Sequence, residues 1–139
     1  MEVVFYIIIL SVVGFANAYF LHWQYLRFKK TKKPMFCLIG EDCAGVIDSR
    51  YGATLGVKNE ITGMFFYTAI SVLLVLSLFF PPILPIASFI ILLASLAAAV
   101  FSLYLLYVQA AVLKKLCSWC LISIFLNVII FVFAVKLVI

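Results

Sequence analysis

The chain has 139 residues, 68% of them apolar and only 11% charged, with a formal net charge of +5. A water-soluble domain of this size would carry far more polar surface, so composition excludes that class and points to an integral membrane protein. The basic residues gather in short clusters beside apolar runs, where they suit lipid head groups; no nucleic-acid partner is expected.

A helix that crosses the hydrocarbon needs roughly 20 mostly apolar residues. Four runs meet that length, at about 3–26, 61–80, 85–113 and 118–139. The first starts with Glu2, lacks a basic leading segment and shows no small-x-small site before its basic flank, so it reads as a span and not as a signal peptide. His22 lies late in this run, beside Trp23 and Tyr25, as an interfacial residue. The flank "RFKKTKK" (27–33) then opens a polar loop and cap over 27–60, punctuated by Pro34, Gly40 and Gly45. Within it, residues 46–59 carry Val46, Ile47, Tyr51, Leu55 and Val57 in a weakly amphipathic pattern, too short to span. That pattern predicts an interfacial half-helix capping the bundle.

The second run stops at Pro81-Pro82, where proline ends a helix, and a tight connection through Pro85 starts the third. The third is uncharged up to Lys114-Lys115. The fourth follows a Cys-x-x-Cys pair and carries Lys136 near its end, where a long side chain can snorkel to the head groups. The expected fold is an all-α integral membrane protein: one domain over 1–139, four transmembrane helices in a bundle, and a capping half-helix between the first two. The expected spans contain no Asp, Glu or Arg, which argues against an ion or proton transporter.

Four spans put both termini on one side and the loops at 27–60 and 114–120 on the other. Nine of the ten basic residues, all but Lys136, fall on the loop side. Cytoplasmic loops are enriched in Lys and Arg, so this bias predicts a cell-membrane protein whose loop side faces the cytoplasm.

The four cysteines are Cys37, Cys43, Cys117 and Cys120, and all lie on that loop side. Two chemistries suit them. Four thiolates can hold zinc in a Cys₄ site, although five residues separate the first pair where metal knuckles usually have two to four. A structural or metal-binding membrane protein therefore stands as the alternative. Dithiol chemistry fits the pattern better. A Cys-x-x-Cys opening a helix puts both sulfurs on one face, and the helix N-terminus with Lys114 and Lys115 nearby favours the nucleophilic thiolate. A second pair on a loop can carry electrons between a soluble protein and the inner pair, with a quinone as the natural acceptor in an apolar bundle.

These residues resemble the vitamin K epoxide reductase family. The matching pattern is Cys37 and Cys43, then "CAGVIDSRYG" with Ser49 six residues after Cys43, then Asn59 ahead of Gly63, Phe66 and Tyr67, and last "CSWC" opening the final helix. The resemblance runs from about residue 15 to residue 127. It implies a quinone-dependent thiol:disulfide oxidoreductase built as a four-helix bundle around a ubiquinone- or menaquinone-type quinone, with a thioredoxin-like dithiol protein as electron donor. By position, Cys37 would meet the partner, Cys43 would exchange with Cys117, and Cys120 would face the quinone. Ser49 would hold the cap, Asn59 would donate to a quinone carbonyl, and Phe66 and Tyr67 would line the ring pocket.

Two departures bear on what the family pattern implies. Vertebrate members have a tyrosine four residues after the last cysteine, and Ile124 stands there, which argues against epoxide reduction. Many bacterial members carry a fused thioredoxin-like domain, so the partner here is expected to be a separate protein. The charge bias further suggests an inverted, single-domain prokaryotic member of archaeal type, since cytosolic disulfides are characteristic of hyperthermophiles.

Overall fold

The computed structural model describes residues 2–32, 50–54, 56–115 and 117–139. Four helices are long and apolar enough to cross a membrane. They are α1 (Glu2–Thr31), α2 (Asn59–Phe79), α3 (Leu84–Tyr107) and α4 (Ser118–Val138). The protein is thus the expected all-α, four-helix, multi-pass membrane bundle. At about 1.5 Å per residue, the 30 residues of α1 extend roughly 45 Å, well beyond a hydrocarbon core of about 30 Å. Its basic end therefore projects into the head groups. α1 closes with Lys32 in the left-handed region (φ 58°), its N–H donating to the Phe28 carbonyl at 2.8 Å. That is the single-bond left-handed helix cap, made here without glycine.

The expected half-helix over 46–59 is not what its described part forms. Residues Arg50–Gly52 make one 3-10 turn, and Ala53–Thr54 (β1) pairs antiparallel with Val57–Lys58 (β2). The turn between the strands passes through Gly56 at φ +81°, a conformation open to glycine and costly for other residues. A glycine at that point favours a reversal over another helical turn. The rest of the stretch, residues 46–49 and 55, lies outside the described residues.

The connection from α2 to α3 is a 3-10 turn at Pro81–Ile83. Proline there supplies a helical φ and removes N–H groups that would have no partner at a helix start. At its other end, α3 widens into a π-helical turn over Val108–Val112. Lys114 then reverses the chain at φ 54°, and the Lys115 N–H returns to the Gln109 carbonyl at 3.0 Å.

Each helix buries a narrow stripe at helical spacing, and these stripes are small or polar as often as they are greasy. α1 buries Val4, Ile7, Ser11, Gly14, Asn17, Ala18, Leu21 and Gln24; α3 buries Ala87, Ser88, Ile91, Ser95, Ala99 and Ser102. Large apolar residues such as Phe65, Phe79, Ile86 and Phe125 point outward. In lipid, tails solvate leucine as well as a neighbouring helix does, so helices associate through small residues and interhelical hydrogen bonds. Ser77, Ser88 and Ser95 each return their hydroxyl to a backbone carbonyl of their own helix, which hides the polar group. One end of the bundle closes on an apolar core of Val4, Ile7, Ile70, Leu74, Ile91, Ile130 and Ala134.

Candidate active site

At the other end the bundle opens into a chamber. The short connection 113–117 delivers the chain to α4 with Cys117 in an extended conformation as the N-cap. The Cys117 Sγ accepts the Cys120 backbone N–H at 3.4 Å, as the oxygen of a Ser or Asp cap does. The Cys117 N–H donates to the Gln109 Oε1 at 3.1 Å, and Gln109 is itself buried. The π-helical turn thus holds the dithiol segment at two points, the Gln109 carbonyl and the Gln109 side chain. Insertions of this kind in helices often accompany functional sites.

The two cysteines have different surroundings. Cys117 is fully buried and packs with Leu21, Tyr25, Leu113, Trp119 and Cys120. Cys120 is only partly covered and lines a cavity of about 340 Å³ whose wall is built from all four helices and Tyr51 of the cap. Ala94, Ala97 and Ala98 of α3 leave the space; Phe66, Tyr67 and Phe101 wall it; Leu105, Val108 and Ile124 add aliphatic surface. A few polar groups converge on this apolar lining: Asn59, Glu60, Gln109, Ser123 and Asn127. Largely apolar walls with a few convergent polar groups, and a volume at the lower end of the roughly 300–1,000 Å³ typical of small-molecule sites, suit a flat apolar ring with polar oxygens. The residues present therefore fit a quinone.

Hydrogen bonds between helices fix the polar wall. The Tyr67 hydroxyl donates to Asn127 Oδ1 at 2.6 Å, and Asn127 Nδ2 donates to Ser102 Oγ at 2.7 Å, which joins α2, α4 and α3. Asn17 Nδ2 donates to the Trp119 carbonyl at 3.0 Å and to Ser123 Oγ at 2.7 Å, which joins α1 to the first turns of α4. Tyr67 reaches the chamber because Gly14 lets its ring lie flat against α1: a Cβ at residue 14 would fall 2.6 Å from that ring.

The expected site residues are distributed as follows. Cys120, Asn59, Phe66 and Tyr67 share the chamber wall, and Cys117 is the buried neighbour of Cys120. Cys37, Cys43 and Ser49 lie outside the described residues. Asn59 has a further contact: its Nδ2 donates to the Tyr51 carbonyl at 2.8 Å, which fastens the described part of the cap to the start of α2. Arg50 lies 4.9 Å from the Tyr51 ring centroid and donates to its hydroxyl at 2.8 Å; that hydrogen bond raises the guanidinium pKa further. Lys58 Nζ sits 4.0 Å from the centroid of the Tyr25 ring. Among the described residues no three His, Cys, Asp or Glu side chains converge as a metal site.

Four chamber residues were not singled out from the sequence. Glu60 had been expected in the loop, but α2 starts one residue before it and buries it. Asn127, Ser123 and Gln109 looked like isolated polar positions in apolar runs. A signal was available, since a polar residue inside a membrane span is costly and usually faces the bundle interior.

A membrane four-helix bundle with a Cys-x-x-Cys at a helix N-terminus, its second cysteine lining an apolar chamber, defines a membrane thiol oxidoreductase. The sequence profile of the vitamin K epoxide reductase family matches residues 5–135, so the chain belongs to that family. Its members are membrane thiol–disulfide oxidoreductases, generally linked to quinone and to thioredoxin-like partners. Among curated proteins none matches the chain.

Proposed function

We propose that the protein generates disulfides by passing electrons from a thioredoxin-like dithiol, through Cys37 and Cys43, to Cys117 and Cys120 and on to a membrane quinone. The observation that carries this reading is the Cys120 sulfur at the wall of the chamber, with Cys117 held beside it by the N-cap hydrogen bond and Gln109. Bound in the chamber, a quinone of the ubiquinone or menaquinone type supplies a sink for two electrons and two protons. Asn59 donates to a ring carbonyl, Phe66 and Tyr67 hold the ring faces, and Ser49 helps keep the cap in place.

The relay on the chain itself consists of thiol–disulfide exchanges. The partner's thiolate attacks Cys37 of the Cys37–Cys43 disulfide, and its second thiol resolves the mixed disulfide, leaving the partner oxidised and the loop pair reduced. Cys43 then attacks Cys117 of the Cys117–Cys120 disulfide, and Cys120 leaves as a thiolate; Cys37 resolves this second mixed disulfide and restores the loop pair. Net, two electrons move inward per partner disulfide made. The Cys120 N–H bonded to Cys117 Sγ supports negative charge on that sulfur whenever it is the leaving group. Each 30 mV between donor and acceptor is worth about 1.4 kcal/mol for such a two-electron couple.

The test is quinone reduction by purified protein, with a reduced thioredoxin-like protein or a small dithiol as donor. Cys37→Ser should stop oxidation of the protein donor and leave oxidation of the small dithiol largely intact; normal oxidation of the protein donor would overturn the assignment of Cys37. For orientation, the Lys and Arg bias supports a cytoplasmic active-site face. Labelling with a membrane-impermeant maleimide in intact cells, after reduction, should then reach the cysteines only once the membrane is opened.

A further inference from the structure

Glu60 is the one acidic residue of the described chain that is buried; its side chain is 3% exposed. A carboxyl in that position is expensive unless it is paired and used. Its Oε1 lies 3.0 Å from the Nδ1 of His22 on α1, and the His22 side chain is 21% exposed. On its other side Glu60 lines the chamber, in company with Cys120. The titratable and charged groups around the pair are Tyr25, which stacks on His22; Lys58, which sits on Tyr25; Tyr51 of the cap, which shares the chamber wall; and Cys120 with Cys117 on α4. The arrangement is a carboxyl that shares the chamber wall with the reacting cysteine and is bonded to an imidazole that reaches the outside.

We propose that Glu60 and His22 form a proton relay between the Cys120 thiol, the chamber and the aqueous face. This rests on the reading of the chamber as the site of dithiol oxidation. Closing the Cys117–Cys120 S–S bond releases two electrons and two protons, and the quinone takes up two of each. The Glu60 carboxylate accepts the proton of Cys120 Sγ as the S–S bond forms and yields it on the chamber side, and the proton of Cys117 follows through the same carboxylate. His22 Nδ1 shares the Glu60 proton across the 3.0 Å contact, and the other ring nitrogen exchanges with water, so the aqueous face restores any proton the carboxyl gains or loses between turnovers. Protons released at sulfur equal those taken up in the chamber, so both residues return to their starting state after each turnover.

The test uses the full chain in detergent. Without quinone, the rate of Cys120 alkylation by iodoacetamide is followed against pH by peptide mass spectrometry. In Glu60→Gln a carboxylate charge on the chamber wall is gone, so the profile should move to lower pH and alkylation near neutrality should be several-fold faster. With quinone and a small dithiol, Glu60→Gln should be slowed on the order of a hundred-fold, within the range of general acid–base catalysis. Glu60→Asp should keep most of the rate, and added formate should restore part of it in Glu60→Ala. A merely structural carboxyl would not give the formate rescue. An unchanged alkylation profile, or a Glu60→Gln variant that turns over at the wild-type rate, overturns the relay. If the wild-type protein reduces no quinone, the functional reading fails instead, and the alkylation profile still judges whether Glu60 acts on Cys120.

Discussion

The two ends of the bundle solve the same packing problem with different materials. At the closed end, Ile7, Ile70, Leu74, Ile91 and Ile130 form an apolar cluster, and the serines beside it, Ser77, Ser88 and Ser95, turn their hydroxyls back onto their own helices. At the chamber end, three alanines of α3 withdraw from the axis, and the helices are joined by Asn17, Tyr67, Ser102, Ser123 and Asn127. The first arrangement fills space; the second keeps space open and fixes its walls by directional bonds. A cavity in a lipid-embedded bundle would otherwise collapse or admit a neighbouring side chain. Hydrogen bonds have distance and angle requirements that dispersion lacks, so they hold a wall in position without filling what lies behind it.

This contrast separates activity from stability, and substitutions at the two ends should part the two. The largest effect is expected from Cys120→Ser, which should take quinone reduction to background while leaving the denaturation midpoint of the detergent-solubilised protein unchanged; residual turnover would move the reacting sulfur elsewhere. Next comes Leu74→Ala at the closed end. Lipid tails already solvate leucine, so most of the loss is the cavity left behind, about 2 kcal/mol. Turnover per folded molecule should stay near wild type, and a large loss of turnover would show that the two ends are coupled.

Gly14→Ala tests the junction between the ends. The new methyl would fall 2.6 Å from the Tyr67 ring, so the ring must move, at a cost of about 1–2 kcal/mol. A shifted Tyr67 reshapes the chamber, and KM for quinone should rise more than kcat falls. The smallest stability change is expected for Asn127→Leu, about 1 kcal/mol as for other interhelical hydrogen bonds in membranes. It nonetheless strands the Tyr67 hydroxyl beside the chamber, so its effect on KM should exceed its effect on unfolding. If unfolding shifts more than binding, the polar wall is structural first.

Some of this was legible from residue order. Run lengths and the prolines at 81, 82 and 85 marked four helices, because a membrane span demands a long uninterrupted apolar segment. The cysteine spacing, with Ser49 and Asn59, pointed to the family. The cap was misread over its described part, since an amphipathic pattern of five apolar residues cannot tell a half-helix from a hairpin, and Gly56 decided it. Glu60 was missed through a two-residue difference in where α2 starts.

What residue order determines by itself in this protein is one-dimensional: how many spans there are, where the dithiol enters its helix, and which side collects the positive charge. Tertiary structure alone decides which polar residues meet. Asn17 finds Trp119 and Ser123 across more than a hundred residues, Tyr67 finds Asn127 across sixty, and His22 finds Glu60 across thirty-eight. Hydropathy scores each of these as a local defect in an apolar run. Only the packing of four helices turns them toward one another, because in lipid a polar side chain is stable when the bundle supplies its partner.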